Sequence, residues 1–150
     1  DVCPTTATKK RPDGIVTIDY DLCIGCAYCF VACPYQARAR TLKPVFAYGE
    51  ATDSERKRHD DARIAVATKC TFCVERIDAG IADGRTPGVD PEATPACVNS
   101  CIANALAFGD LDDPQSNVST LIEENEHFRM HESLGTGPGM YYLWDRKDEA

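Results

Sequence analysis

Eight of nine cysteines crowded into tight groups constrain this 150-residue chain more than any other feature. Cys23, Cys26, Cys29 and Cys33 fall within eleven residues, Cys70 stands with Cys73, and Cys97 with Cys101; Cys3 is alone. A small secreted domain stapled by disulfides also carries many cysteines. Disulfides, however, stabilise by closing loops between distant segments, and four neighbouring thiols gain nothing of that kind. Thiolates converging on a metal centre need such crowding, so the spacing predicts metal ligation.

The first group reads Cys23-Ile-Gly-Cys26-Ala-Tyr-Cys29-Phe-Val-Ala-Cys33-Pro34, the C-x2-C-x2-C-x3-C-P run of bacterial [4Fe–4S] proteins. Two-residue spacers let one tight loop present three thiolates to three corners of a cubane. Gly25 relieves crowding where backbone passes close to inorganic sulfide. The fourth cysteine is expected to be carried off by a following helix, which Pro34 suits as a first residue, and so to ligate another cluster. Cys70-x2-Cys73 and Cys97-x3-Cys101 look like the same group with its middle stretched to 23 residues. A structural zinc site of four thiolates is the competing reading of that half.

An internal repeat accompanies the groups. Cys-x-x-x-Ala occurs as Cys3-Pro-Thr-Thr-Ala7, Cys33-Pro-Tyr-Gln-Ala37 and Cys101-Ile-Ala-Asn-Ala105, each a candidate group ending. The ending at Cys3 lacks the rest of its group, which is expected upstream of Asp1. Two pairings follow. Cys23, Cys26 and Cys29 take Cys101 while Cys70, Cys73 and Cys97 take Cys33; alternatively Cys3 completes the first triplet. All nine cysteines are candidate ligands, for at least two clusters.

The remaining chain shows no other chemistry. With 24 Asp and Glu against 16 Lys and Arg the net charge is −8, which argues against a nucleic-acid partner. No segment reaches the roughly 18 apolar residues of a membrane span. No serine–histidine–aspartate set or phosphate loop is present, so no substrate chemistry is expected of the chain itself. His127 and His131 are expected at i and i+4 on a helix, among charges that describe a wet face, and His59 sits in the charged run Glu55–Asp61. Tyr28 and Phe30 are expected to shield a cluster from water. Arg38, Arg40 and Arg76 are cations available to a partner.

The fold expected is α+β: ferredoxin-like [4Fe–4S] modules with insertions and a C-terminal helix and tail. Residues 1–40 make one module, 41–68 a charged insertion, 69–114 a second half-module with a long loop, and 115–150 a helix and docking tail. Within these, Ile15–Ile18 reads as a strand after a Pro12-Asp13-Gly14 turn, Val74–Ala79 as a helix, and Ala103–Phe108 as a strand. Thr120 and Glu123 suggest a capping box that starts a helix running to about Leu134 and stopping at Gly135. The aromatic stretch Met140–Trp144 is expected to pack against its own domain or a neighbour.

Several blocks together resemble the iron–sulfur subunit of the dimethyl-sulfoxide-reductase family. They are Val2–Thr8, Asp13–Asp19, Cys23–Arg38, Lys69–Arg76, Thr94–Cys101 and Phe108–Pro114, while Leu134–Leu143 is similar to the C-terminal stretch of polysulfide reductase and membrane-bound sulfite dehydrogenase subunits. The resemblance implies a wire of four clusters between a molybdopterin catalytic subunit and a quinone-reactive membrane subunit, with the chain membrane-associated through those partners. It implies that Cys3 joins Cys23, Cys26 and Cys29, and that Cys70, Cys73, Cys97 and Cys101 pair with a group not in this sequence. About half of the family's cysteines are absent here, which implies a chain missing its N-terminal part or a reduced two-cluster version. An independent soluble two-cluster ferredoxin is the alternative, and a zinc-binding structural module the third reading.

Overall fold

The structure, a computed structural model, describes residues 2–147. The chain divides into two units, one ending at Thr71 and the other beginning at Phe72. The described residues form short helices and three separate two-stranded antiparallel sheets, a mixed α and β architecture. The last three residues of the expected tail lie outside the described residues.

The first unit opens with a hairpin. Strand β1 (Thr8–Lys10) pairs with β2 (Val16–Ile18) in the register Thr8 to Ile18. The turn between them forms for local reasons: Gly14 takes a φ of 82°, its N–H donates to the Arg11 carbonyl, and Asp13 Oδ1 accepts from the Ile15 N–H at 3.1 Å. Polar Thr8–Lys10 carries no apolar alternation, and only the pairing with β2 makes it a strand. Helix α1 (Tyr28–Ala32) follows, then β3 (Ala39–Arg40), which pairs with β4 (Ala67–Thr68). The charged insertion holds α2 (Asp53–Arg58), in which no residue is buried, as its composition predicts. Ala7, Ile15, Ile18, Val66 and Ala67 are buried in this unit.

The second unit is built on α3 (Val74–Ala82), whose Val74 and Ile77 are buried. Gly80 lies on the same helix against a 3-10 turn at Pro91–Ala93. A Cβ on Gly80 would stand 2.5 Å from the Ala93 Cβ, so only glycine allows that contact. Helices α4 (Ala96–Asn99) and α5 (Asn117–Glu124) follow, and then strand β5 (Asn125–Phe128) pairs with β6 (Tyr142–Arg146). Thr94 is buried with its hydroxyl satisfied, donating to the Asp90 carbonyl at 2.8 Å and accepting from the Gly88 N–H.

Two expected elements differ. Ala103–Phe108 forms no strand; it is a turn and irregular chain whose Phe108 carbonyl accepts from Asn117. The expected helix from Thr120 begins earlier, capped by Ser116 accepting from the Ser119 N–H, and ends at Glu124. From Asn125 the chain is a strand, because β6 offers it a ladder of hydrogen bonds that no local signal announces. His127 and His131 therefore do not share a helix face: His127 is in β5, and His131 is left-handed before a short 3-10 turn. The capping box of this chain is instead Thr52 with Glu55, at the start of α2.

Candidate iron–sulfur site

The run from Cys23 to Cys33 is wound tightly for a reason visible in its neighbours. Gly25 has a φ of 63°, and a Cβ there would meet the Ala65 carbonyl oxygen at 2.1 Å. That carbonyl is held by Arg40 Nε at 3.1 Å, and the Ala65 N–H donates to the Thr41 carbonyl at 2.7 Å. Two residues on, the Ala67 N–H donates to Cys23 Sγ at 3.5 Å. The end of the insertion thus lies against the cysteine loop and supplies it a hydrogen bond. Ala27, also left-handed, precedes α1, which carries Cys29, and Cys33 sits at its C-terminal cap. The helix therefore precedes Pro34 instead of starting there.

The second group repeats the device. Phe72, like Gly25 the residue before the second cysteine of a C-x2-C pair, has a φ of 57°; Cys73 follows at 54° and precedes α3. Phe72 tolerates the strain with its ring packed on Phe108, centroids 5.5 Å apart. A left-handed residue is half of the pattern by which backbone gathers successive N–H groups into an anion-binding concavity, as at many iron–sulfur sites.

The three Cys-x-x-x-Ala endings share one backbone conformation. Thr6, Gln36 and Asn104 stand three residues after Cys3, Cys33 and Cys101, with φ of 55°, 51° and 49°. Each N–H returns to the carbonyl of its cysteine, at 3.3, 3.2 and 3.0 Å. At Cys101 the Ala105 N–H donates to the Sγ at 3.3 Å. At Cys3 the thiol is pulled down to about 7, chiefly by the Thr8 N–H and next by the Thr5 hydroxyl, outweighing a small burial effect. Among the described residues, eight non-glycine residues have positive φ, and six of them lie in these cysteine segments. Such strain costs about 1–3 kcal/mol per residue and collects at functional sites.

Topology places the cysteines in sequence-distant pairs. Cys3 precedes Thr8 by five residues and Cys23 follows its partner Ile18 by five, so both lie beyond the same end of the β1–β2 hairpin. The β3–β4 pairing brings the Cys33 turn and Cys70 to one open cleft of about 430 Å³, lined by Gln36, Ala37, Arg38, Thr68, Lys69 and Cys70 among others. Lys69 is half-buried there, its pKa lowered by that burial, and Nζ donates to the carbonyls of Val16 and Cys70. Cys97 lies on α4, exposed like Cys26 and Cys70, and Cys101 follows that helix. Among the described residues no three histidine, cysteine, aspartate or glutamate side chains are grouped to hold a metal ion. A mononuclear zinc site of four thiolates would draw its sulfurs to about 4 Å from one another, closer than the corners of a cubane do.

The other candidates have local roles. Arg38 donates to Thr8 Oγ1, Arg40 to Ala65, and Arg76 to the Pro91 carbonyl, so all three are engaged within their own unit. Tyr28 and Phe30 are exposed, and His59 pairs with Asp61 at 2.9 Å beside the Phe46 ring. Sequence reasoning missed Ala65 and Ala67, for which no local signal exists. The shared left-handed position after Cys3, Cys33 and Cys101 was announced only by the repeat itself.

Residues 15–37 match a family described as a 4Fe-4S binding domain. The Hdr-like menaquinol oxidoreductase iron-sulfur subunit 1 of Archaeoglobus fulgidus is 41% identical over 145 residues, covering 94% of this chain and 50% of that protein. The B component of the sulfite dehydrogenase of Allochromatium vinosum is 41% identical over 148 residues, 97% of this chain and 50% of its own length. The B component of the polysulfide reductase of Wolinella succinogenes is 36% identical, with 97% and 60% covered. The chain spans about half the length of most of the curated relatives it matches. No helix among the described residues is long and apolar enough to cross a membrane.

Proposed function

The chain is homologous over nearly its whole length to iron–sulfur subunits of oxidoreductases, and from that premise we propose that it relays electrons through [4Fe–4S] clusters inside a larger redox complex. The observation that carries the reading is the left-handed turn repeated after Cys3, Cys33 and Cys101, with N–H donors on sulfur at Cys23 and Cys101. Donors aimed at sulfur fit thiolates bound to iron, whose negative charge they stabilise.

Cys3, Cys23, Cys26 and Cys29 are the proposed ligands of one cluster, supported by their common end of the β1–β2 hairpin. Cys33, Cys70, Cys73, Cys97 and Cys101 serve further clusters, giving at least two in all, and four in a protein of the relatives' length. A [4Fe–4S] cubane exchanges one electron at a time with little rearrangement. The chain's own part is to hold the thiolates and aim N–H groups at them through Ala67 and Ala105. The proposed partners are a molybdopterin catalytic subunit and a quinone-reactive membrane subunit, with association to the membrane through the latter. Ferredoxin-type modules account for the paired short sheets and cysteine helices.

A second reading, the independent two-cluster ferredoxin in which Cys33 joins Cys70, Cys73 and Cys97, draws support from the cleft that the Cys33 turn shares with Cys70. Anaerobic purification with iron and acid-labile sulfide analysis separates the readings. The leading one expects brown protein bleached by dithionite, co-purifying with larger subunits. Two clusters on a protein that stays monomeric would favour the ferredoxin, and a colourless zinc protein would sink the cluster assignment.

A further inference from the structure

We propose that the Thr5 hydroxyl donates a hydrogen bond to the Cys3 thiolate and thereby raises the reduction potential of the cluster that Cys3 ligates. The inference rests on the reading of Cys3 as a ligand. Thr5 Oγ1 lies 3.7 Å from Cys3 Sγ, and both side chains are half-buried. Either atom of a free thiol–hydroxyl pair can donate, but a thiolate bound to iron has no proton, so in the loaded protein the hydroxyl is the donor. The neighbouring Thr6 hydroxyl does not compete, because it is spent on the Thr5 carbonyl at 2.6 Å.

Comparison of the three repeated turns singles Thr5 out. All three close the same way, with a left-handed residue at the third position after the cysteine. At the second position stand Thr5, Tyr35 and Ala103. Alanine has no hydroxyl, and the tyrosine hydroxyl stands at the far end of a rigid ring. Only the Cys3 copy carries a short hydroxyl side chain where it reaches its sulfur. The N–H bond that returns to the cysteine carbonyl belongs to the turn itself; the hydroxyl is an addition made by side-chain choice. Reduction adds negative charge to the cluster and its sulfurs, so a donor there favours the reduced form, and its removal lowers the potential. Thr5 acts through Cys3 and is a positioning residue for that charge.

Thr5→Val and Thr5→Ser test this in the anaerobically purified complex, titrated potentiometrically with electron paramagnetic resonance as the readout. One cluster midpoint is expected to fall in Thr5→Val and to recover in Thr5→Ser, with the other midpoints unmoved. Unchanged midpoints in a Thr5→Val protein of full iron and sulfide content would overturn the proposal. Should the valine variant load iron incompletely, Thr5→Ala, which deletes the hydroxyl without a branched side chain, is judged on the same criterion. Cys3→Ser separates the two levels: if it leaves every cluster signal intact, the ligand reading itself fails, whereas an unmoved potential at Thr5 removes only the tuning role.

Discussion

Gly25 and Phe72 occupy the same place in two cysteine pairs, yet one must be glycine and the other need not be. At Gly25 two constraints coincide, a φ of 63° and an Ala65 carbonyl where a Cβ would sit. Phe72 meets only the first and offsets it with its contact to Phe108. Gly25→Ala is therefore expected to push the Cys23–Cys29 loop off the Ala65–Ala67 segment and to break the Ala67 bond to Cys23. Iron and sulfide analysis should then show one cluster's worth lost. Phe72→Gly, by contrast, keeps the backbone conformation while deleting the ring, and is expected to lower the melting temperature with iron content little changed.

Short elements here depend on caps and on cross-strand partners more than on their own length. Helix α2 has six residues, too few to persist alone, and is held by the reciprocal bonds of Thr52 and Glu55. The Thr52 N–H, and then its hydroxyl, lower the Glu55 pKa. A depressed carboxyl pKa stabilises the cap above the unfolded-state pKa, and that support is lost as pH falls through the folded value. Amide exchange by nuclear magnetic resonance should show α2 fraying on acidification, and Thr52→Ala should produce the same fraying at neutral pH. The β5–β6 hairpin is held differently. Phe128 stacks on Tyr142 with centroids 5.0 Å apart and on Trp144 at 5.5 Å, where a register shift beside His127 leaves Trp144 between the paired Leu143 and Asp145. Removing the ring in Phe128→Ala should cost about 1 kcal/mol or less on aromatic-pair grounds, read by denaturant unfolding.

The described residues bury few large apolar side chains, and the small ones Ala7, Ala67 and Ala93 are among the core. Units of this size rarely stand on such a core without disulfides, metal or partners. Clusters anchored by nine thiolates would supply the missing cross-links, since binding energy at ligands that converge only in the fold is folding energy. Anaerobic removal of iron is therefore expected to abolish a cooperative thermal transition in calorimetry. Gly80→Ala tests the packing that does exist. It gains about 1 kcal/mol of helix propensity, but overpacking against Ala93 costs about 1–3 kcal/mol, so a net loss is expected.

Thiolate crowding between Cys23 and Cys33 by itself determined the kind of chemistry, because ligand spacing along a loop is a local property that the chain writes directly. The turn at Gly14, the helix after Cys73 and the recurring ending after Cys3, Cys33 and Cys101 were determined in the same way, each by residues a few positions apart. Tertiary structure decided the rest. Thr8–Lys10 is a strand because Val16–Ile18 lies beside it, and Asn125–Phe128 leaves helix for strand because Tyr142–Arg146 supplies its hydrogen bonds. The Ala65 carbonyl and Ala67 N–H reach the Cys23 loop across some forty residues of chain. Alanine carries no side-chain signal for such a contact; backbone groups report their partners only once the fold has brought them together.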